Sequence, residues 1–388
     1  MPAHITIVGA GIAGLATAVA LQRIGHGVSV IEQRTDVGSG AGISIWPNAL
    51  AALDEIGLGD EVRRAGGRVT AGAIRWRDGT WLRRPSAQRI VAALGEPLVV
   101  VRRSALTDIL QSALPPGTVE RGRSAAAVSV TESGAMITLS DGSHREADAV
   151  VGADGVHSIV ATTLNGPLRA RYAGYTAWRG VAAYALDPDL AGETMAPGAE
   201  VGHVPLGPDH TYWFATERAV EGSSAPEGEH AYLTAKLAGW ADPIPHLIAR
   251  TDPGDLLRND LYDRAQPRRW SRDRAVIVGD AAHPMRPHLG QGGCQGIEDA
   301  AILARFVALA PDLAAAFERF GSFRKRRVRA LVRESSTIGR VVNLRPALLS
   351  GLASRATALI PERVVTSHLA WIAAGSAFVL PTATDAAG

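Results

Sequence analysis

Residues His4 to Glu32 read HITIVGAGIAGLATAVALQRIGHGVSVIE, and the order of features within them decides the fold. An apolar strand, His4 to Gly9, runs into Gly9, Gly11 and Gly14. A helix of small residues follows to about Ile24, and a second strand, Val28 to Ile31, ends in Glu32. A GxGxxG pattern alone is weak. Strand, glycines, helix, strand and then an acidic residue about 20 positions on make the full dinucleotide fingerprint. Gly9 permits the turn, Gly11 lets a pyrophosphate approach the backbone, and Gly14 lets helix and strand pack. Glu32 is placed to accept hydrogen bonds from a ribose diol. The expected fold class is α/β with a Rossmann-like nucleotide domain.

Two later stretches return to the same sheet. Ala149 to Gly155, AVVGADG, is a strand ending in glycine and an aspartate. Arg274 to Ala301, RAVIVGDAAHPMRPHLGQGGCQGIEDAA, is a buried strand over Ala275 to Val278, then Gly279-Asp280, then glycines opening a helix. Ligands sit at the carboxyl ends of strands in open α/β sheets, so Asp280 is expected to project its carboxylate into the crevice. Gly290, Gly292 and Gly293 let backbone approach a flat ligand, with the positive end of the helix aimed at it.

Between these landmarks the pattern changes. Gly38 to Asn48 reads as a second glycine-rich loop without a phosphate-cradling helix. Ala73 to Arg83 reads as a hairpin with a type I′ turn at Asp78-Gly79 that sets Trp76 opposite Trp81. Val99 to Leu110 reads as a strand end, a cap at Ser104 and a helix burying Leu106 and Leu110, with Arg103 just before the cap. A hairpin is expected over Val128 to Asp148, turning at Asp141-Gly142. Tyr172 to about Leu261 alternates like antiparallel strands, with a helix over His230 to Trp240 packed on them. After Ala301 the chain reads as helical to the end, and the basic run Arg324 to Arg329 reads as a solvated helix face.

Composition narrows the function. The 388 residues suit two domains or one large one, and 46% hydrophobic residues with few aromatics is ordinary for an α/β protein. A net charge of +2 argues against a nucleic-acid surface, and a single cysteine, Cys294, excludes a disulfide framework. A reducing compartment, the cytoplasm, is expected. The amino terminus lacks a basic n-region, and no segment approaches the roughly 20 apolar residues a membrane span requires. Leu369 to Leu380, the most apolar piece of the tail, is expected to be a packed or dimer-forming helix, in a monomer or homodimer. No metal site is expected.

GAGIAG with Glu32, the arginine before SALTDIL, GADG at 152–155 and GDAAHPMRPHLGQGGCQGIEDA at 279–300 together resemble the class A flavin-dependent monooxygenases, the group related to p-hydroxybenzoate hydroxylase. GISIWPNAL, YAGYTAWRG and GQGGCQGIEDA resemble the branch with urate hydroxylases, zeaxanthin epoxidases and salicylate-type hydroxylases. The resemblance implies a discontinuous FAD-binding domain (1–70, 98–170, 268–335), an inserted antiparallel β-sheet domain for substrate (71–97, 171–267) and a C-terminal helical segment (336–388). It implies that Gly9, Gly11, Ala13, Gly14, Glu32 and Gln33 hold the ADP half of FAD, that Arg103 pairs with its pyrophosphate, and that Gly42 and Ala125 belong to the cofactor set. Asp280 would bind ribityl hydroxyls, and Asp154 would sit in a turn serving FAD and, transiently, the nicotinamide. The backbone of Gly290, Gly292, Gly293 and Cys294 would face the flavin pyrimidine. Two departures stand out: the arginine that family members carry after SxV is Ala161 here, and the acidic residue that urate-type members carry two before GQGG is His288, which argues against urate.

There is one dinucleotide fingerprint, and the flavin takes it, so NADH or NADPH must visit the flavin face as a transient co-substrate. The implied reaction is hydride transfer to FAD, addition of O2 to give the flavin C4a-hydroperoxide, and transfer of one oxygen to an aromatic or conjugated small molecule. An epoxidase, oxidase or halogenase on the same fold is the alternative, as is a non-catalytic flavoprotein-like module; the halogenase WxWxIP pattern is absent. Tyr212, in TYWFA, is either a substrate-facing hydroxyl or a core tyrosine. His288 is either a substrate contact and base or a loop histidine. His283 packs within its turn, and Cys294 has no assigned base to make it a nucleophile.

Overall fold

The computed structural model describes residues 2–36 and 41–387. The fingerprint forms the centre of a six-stranded sheet. In spatial order its strands are Ser271–Arg272, Ala275–Ile277, Ala149–Gly152, His4–Val8, Gly27–Glu32 and Val119–Arg121, all parallel except the antiparallel first pair. Ile7 lies between Val30 and Val151 in register. Ile5, Ile7, Val30, Val150, Val151, Val276 and Ile277 are all buried, as expected where helices cover both faces of a parallel sheet. One cover is the helix Ile12–Arg23, and the long buried helix Gly292–Leu309 packs against it. Ala13 makes that crossing close, for its methyl faces Gly279 and Gly296.

A three-stranded meander, Ala125–Val130, Ala135–Leu139 and His144–Ala147, hangs from this sheet; the turn at Asp141-Gly142 is where the sequence places it, with a third strand added to the expected hairpin. A second small sheet pairs Gly42–Ile45 and Gly67–Val69 with Leu98–Arg102. The expected Gly38 to Asn48 loop is thus a strand from Gly42; its Gly38 to Gly40 portion lies outside the described residues. The third sheet has seven strands ordered Leu257–Arg264, Ala170–Ala182, Thr211–Glu217, Ala199–Pro205, Gly192–Ala196, Ala73–Trp76 and Trp81–Arg83. Helices Glu229–Leu237 and Ile244–Ala249 cover one of its faces through Trp178, Trp213, Leu233, Leu237 and Leu247.

Local chemistry corrects several expectations. In the 73–83 hairpin only Gly79 of the two turn residues has positive φ, 89°, so the turn is not type I′, which needs both. The ladder slips there, Trp81 faces Arg75, and Trp76 is buried while Trp81 is exposed. The helix after Leu98–Arg102 begins at Arg103 with Arg102 as its cap, so Ser104 lies inside the first turn. Leu369 to Leu380 is α-helical only as far as Ala373, with a single 3-10 turn at Gly375–Ala377. The tail comprises the 30-residue helix Leu313–Val342, then Ala347–Ala356, Glu362–Ala373 and Ala383–Ala387. The largest correction concerns Arg324 to Arg329. Arg324, followed at helical spacing by Val328 and Leu331, lies on the buried stripe of that 30-residue helix. No helix of the described residues is long and apolar enough to cross a membrane.

Candidate active site

The six- and seven-stranded sheets enclose a cleft of about 680 Å³, within the roughly 300–1,000 Å³ of small-molecule sites. The nucleotide-type sheet supplies its floor. Gly9 takes φ 104° so that the first strand can turn sharply, and a Cβ on Gly14 would run into the Gly9 carbonyl oxygen. A Cβ on Gly11 would meet nothing within 4 Å, and Gly11 lines the cleft. Glu32 is held in place by two backbone donors, Ala10 N (2.7 Å) and Arg34 N (2.8 Å). At the other end Asp280, Gly290, Gly292 and Gly293 line the cleft where the Gly292–Leu309 helix begins. The first N–H groups of a helix have no intrahelical partner, so this end offers donors and a positive dipole to whatever lies against it.

The seven-stranded sheet forms the roof. Side chains alternate across a strand. Register therefore puts Ala177, Arg179, Glu200, Tyr212, Phe214 and Thr216 on the cleft side, while Trp178, Val201, Trp213 and Ala215 point into the helix-covered core. Tyr212 packs closely against the opposite wall: a Cβ on Gly42 would lie 2.6 Å from its Cγ. Burial raises the Tyr212 phenol, and Arg179 beside it opposes the shift, so it stays a hydrogen-bond donor at neutral pH.

Three residues distant in sequence meet at the roof's edge. His288 Nε2 lies 2.8 Å from Tyr175 Oη, and its Nδ1 lies 3.1 Å from Glu200 Oε1. Burial pushes the Tyr175 phenol well above its ordinary range, so Tyr175 keeps its proton and donates it to Nε2, while Nδ1 faces the Glu200 carboxylate. Thr216 donates to the same Glu200 oxygen at 3.0 Å. Glu200 Oε2 has no hydrogen-bond partner among the described residues, and Glu200 lines the cleft. Both ring nitrogens of His288 thus face protein groups, and the free acceptor belongs to Glu200.

Behind the floor lies a buried polar network. Arg324, 1% exposed, donates from Nε to Asp299 (2.7 Å), from Nη1 to Glu298 (2.7 Å) and from Nη2 to Gln295 (2.9 Å). Asp299 also accepts from Gly279 N (2.9 Å) and pairs with His283 Nε2 (2.6 Å), while Glu298 accepts from Asn48 (2.6 Å) and Gln295 (2.9 Å). One guanidinium thereby ties the Gly279-Asp280 turn and the helix that starts at Gly292 to the long C-terminal helix. Arg264 makes a second tie, donating to the carbonyls of Val156 (2.9 Å) and Ala281 (2.6 Å), so the two aspartate turns cannot separate.

A family model described as an FAD binding domain matches residues 3–335, most of the chain. The chain belongs to this family, the class A flavin monooxygenases. It is 36% identical over 340 residues to the aurachin C monooxygenase/isomerase of Stigmatella aurantiaca, covering 87% of this chain and 89% of that protein. It is 34% identical over 310 residues to the 3-amino-4-hydroxybenzoate 2-monooxygenase of Streptomyces cremeus, with 77% of each covered. Among solved structures, Klebsiella pneumoniae HpxO complexed with FAD and uric acid superposes with a TM-score of 0.88 at 27% identity, over 95% of this chain and 96% of that one.

For a flavin monooxygenase, the positions of the sequence-derived candidates divide in two. Gly11, Glu32, Gly42, Arg103, Tyr212, Asp280, His288, Gly290, Gly292 and Gly293 line the cleft together. Gly9, Ala13 and Gly14 shape the turn from behind; Gln33 is exposed beside Glu32. Ala125 is buried in the meander, paired with Leu139. Asp154 accepts from Ser158 Oγ (2.5 Å) and Ile159 N (2.7 Å), holding the turn before the helix Ile159–Asn165 instead of pointing into the cleft. Cys294 is buried, its Sγ 3.5 Å from the Ser44 carbonyl, and burial pushes its thiol up to about 12, so it is no nucleophile. Sequence reading missed Glu200, Tyr175, Arg179 and Thr216. Only strand alternation around Tyr212 pointed toward the last.

Proposed function

We propose that the protein is an NAD(P)H-dependent FAD monooxygenase that hydroxylates an aromatic or conjugated small molecule carrying a hydrogen-bond donor, an O–H or N–H, on or beside the reacting ring. Its place of work on this reading is the cytoplasm, where NAD(P)H is supplied and Cys294 stays reduced. The residues present fit FAD: the cleft is long, its floor carries the glycine turn at one end and an amide-rich helix start at the other, and Arg103 lies on the lining between the walls. Gly11, Glu32 and Arg103 would hold the adenosine and pyrophosphate, Asp280 the ribityl chain, and Gly290 to Gly293 the edge of the ring system. Bound FAD supplies hydride acceptance from NADH or NADPH and the activation of O2, from which one atom reaches the substrate and the other leaves as water.

The observation that carries the substrate class is the free Glu200 Oε2. It accepts from the substrate's donor and raises electron density on the ring, the property an electrophilic oxygen transfer needs. His288 is a positioning residue: it holds Glu200 through Nδ1 and is itself fixed by Tyr175. Tyr212, on the same roof, offers a hydroxyl as a second polar group, and Arg179 beside it a fixed positive charge. The roof keeps bulk water off the reacting edge.

The test is a panel of phenols, quinolones and aniline-type aromatics presented to the FAD-loaded protein with NADH or NADPH, following reductant consumption, O2 uptake and product mass. Substrate-stimulated consumption with a product gaining one oxygen atom is expected. A protein that takes up no FAD, or reductant consumption that yields only hydrogen peroxide with every compound, would overturn the reading.

A further inference from the structure

The helix Ala347–Ala356 is folded inside out. Its buried positions are Ser350, Gly351 and Ser354, seated on Pro197, Gly198 and the Trp76 ring, with Ser350 accepting from Gly198 N at 3.1 Å and donating to the Val342 carbonyl at 2.6 Å. Its leucines face outward: Leu348 is 66% exposed, Leu349 45% and Leu352 57%. A helix that buries serines and exposes leucines reverses the arrangement by which surface helices gain stability. The feature extends beyond that helix. Of the fifteen large hydrophobic residues most exposed among the described ones, ten fall between Val341 and Val379, and Leu359 at 85% is the most exposed of all. Single exposed apolar residues need no explanation, but a contiguous run marks an interaction surface.

Charge selects the partner. Residues 343–361 contain Arg345 and Arg355, both exposed at the two ends of the leucine helix, and no aspartate or glutamate. From Leu313 onward, setting aside Arg324 and Arg327 with their buried carboxylates, nine basic residues stand against four acidic ones, in a chain whose net charge is only +2. A second copy docked on this face by a twofold axis would oppose these cations to their own images with no carboxylate in the segment to pair them. A lipid surface with anionic headgroups satisfies both features, apolar side chains entering the acyl boundary and arginines meeting the headgroups.

We propose that the face formed by Ala347–Ala356 and the Leu359-Ile360 turn docks the protein peripherally on anionic bilayers. The docking does not depend on the oxidation chemistry. It does bring the cleft near the lipid, since the long helix that leads into this face touches the site: a Cβ on Gly339 would lie 2.7 Å from His288 Nε2.

Co-sedimentation of the FAD-loaded protein with unilamellar vesicles tests this. Vesicles of three parts phosphatidylcholine to one part phosphatidylglycerol should carry the protein down, pure phosphatidylcholine should do so far less, and raised salt should release it. Leu348→Glu with Leu352→Glu, and separately Arg345→Glu with Arg355→Glu, should each lower partitioning about tenfold or more, with FAD content unchanged in both. The melting temperature should stay unchanged in the leucine variant, whose side chains are exposed, and fall slightly in the arginine variant, because Arg355 lies 4.4 Å over the Trp76 ring. Failure to bind the anionic vesicles, or binding that neither double variant weakens, would overturn the proposal. So would a concentration-dependent dimer in sedimentation velocity that the leucine variant abolishes while vesicles bind nothing, which would assign the face to a second copy.

Discussion

Replacing Arg324 with methionine removes the one guanidinium that neutralises Asp299 and half-neutralises Glu298, while keeping most of the side-chain volume. Both carboxylates are fully buried, and each would be left with a weaker partner: Asp299 with His283, and Glu298 with Arg327 at 3.4 Å. Breaking a buried pair by removing one member costs about 3–5 kcal/mol. With about 2.1 cal/mol/K of unfolding entropy per residue, a chain of 388 residues has about 0.8 kcal/mol/K, so the melting temperature should fall by about 4–6 °C. The pH dependence supplies a sharper signature. In the native protein burial would raise Asp299, but His283 and Arg324 outweigh it and hold the carboxyl down to about 2. Its folded pKa lies below its unfolded one, so its contribution is present above about pH 4 and is lost as pH falls toward 2. In the variant Asp299 loses the Arg324 charge that helps hold its carboxyl down, and its pKa rises. Acid should then protonate Asp299 in the folded variant at a higher pH than in the native protein, and the deficit in melting temperature should shrink as the pH is lowered from about 7 toward 4. Scanning calorimetry across that range, with flavin content measured after gel filtration, reads both effects. A variant that melts within about a degree of the native protein at neutral pH and keeps its flavin would refute the assignment of Arg324 as the tie between floor and tail.

Gly14→Ala should abolish FAD retention, because its methyl would meet the Gly9 carbonyl oxygen; flavin absorbance after desalting reads this, and retention equal to the native protein would contradict it. Glu200→Gln and His288→Ala should each reduce substrate-stimulated NAD(P)H oxidation by about ten- to a hundredfold with FAD still bound, and His288→Ala should show the larger rise in KM because it frees Glu200 to move; equal kcat and KM would return both to a structural role. Cys294 should resist iodoacetamide at about pH 8 in the folded protein and react on unfolding, since burial holds its thiol near 12. Rapid labelling of the native state would show that the helix start opens.

The nucleotide-binding half was legible because it is local. Strand, glycine turn, helix and Glu32 sit within thirty residues, and each residue type has one steric reason to be there. The roof was only half legible. Alternation in TYWFA identified the strand, and with it Tyr212, but which face lines the cleft depended on pairing with the strands Ala170–Ala182 and Ala199–Pro205. Glu200 stood in a stretch of alternating glycines and apolar residues with no signal of its own. Arg324 was misread because a run of five basic residues resembles a solvated face. The spacing Arg324, Val328, Leu331, Ser335, Gly339 and Val342 is the cue that was present: it is the buried stripe of one helix, and an arginine on such a stripe needs carboxylates, which Glu298 and Asp299 provide. The turn at Asp78-Gly79 misled through its sequence alone, because a DG pair also serves turns in which only the glycine takes positive φ.

The two-column arrangement of the roof strands separates what the protein must keep from what it can change. Along Ala199–Pro205 and Thr211–Glu217, one column of residues, Val201, His203, Trp213 and Ala215, faces the helix-covered side and belongs to the fold; the other, Glu200, Gly202, Tyr212, Phe214 and Thr216, faces the chamber. The chamber column can be changed while the fold column stays fixed, Gly202 and Tyr212 excepted: a Cβ on Gly202 would lie 2.1 Å from the Phe214 ring, and Tyr212 packs against Gly42 of the far wall. A lineage built on this sheet can exchange one substrate for another by altering every second residue, leaving cofactor attachment and folding untouched. A library confined to the chamber column is the shortest mutational route between chemistries on this scaffold.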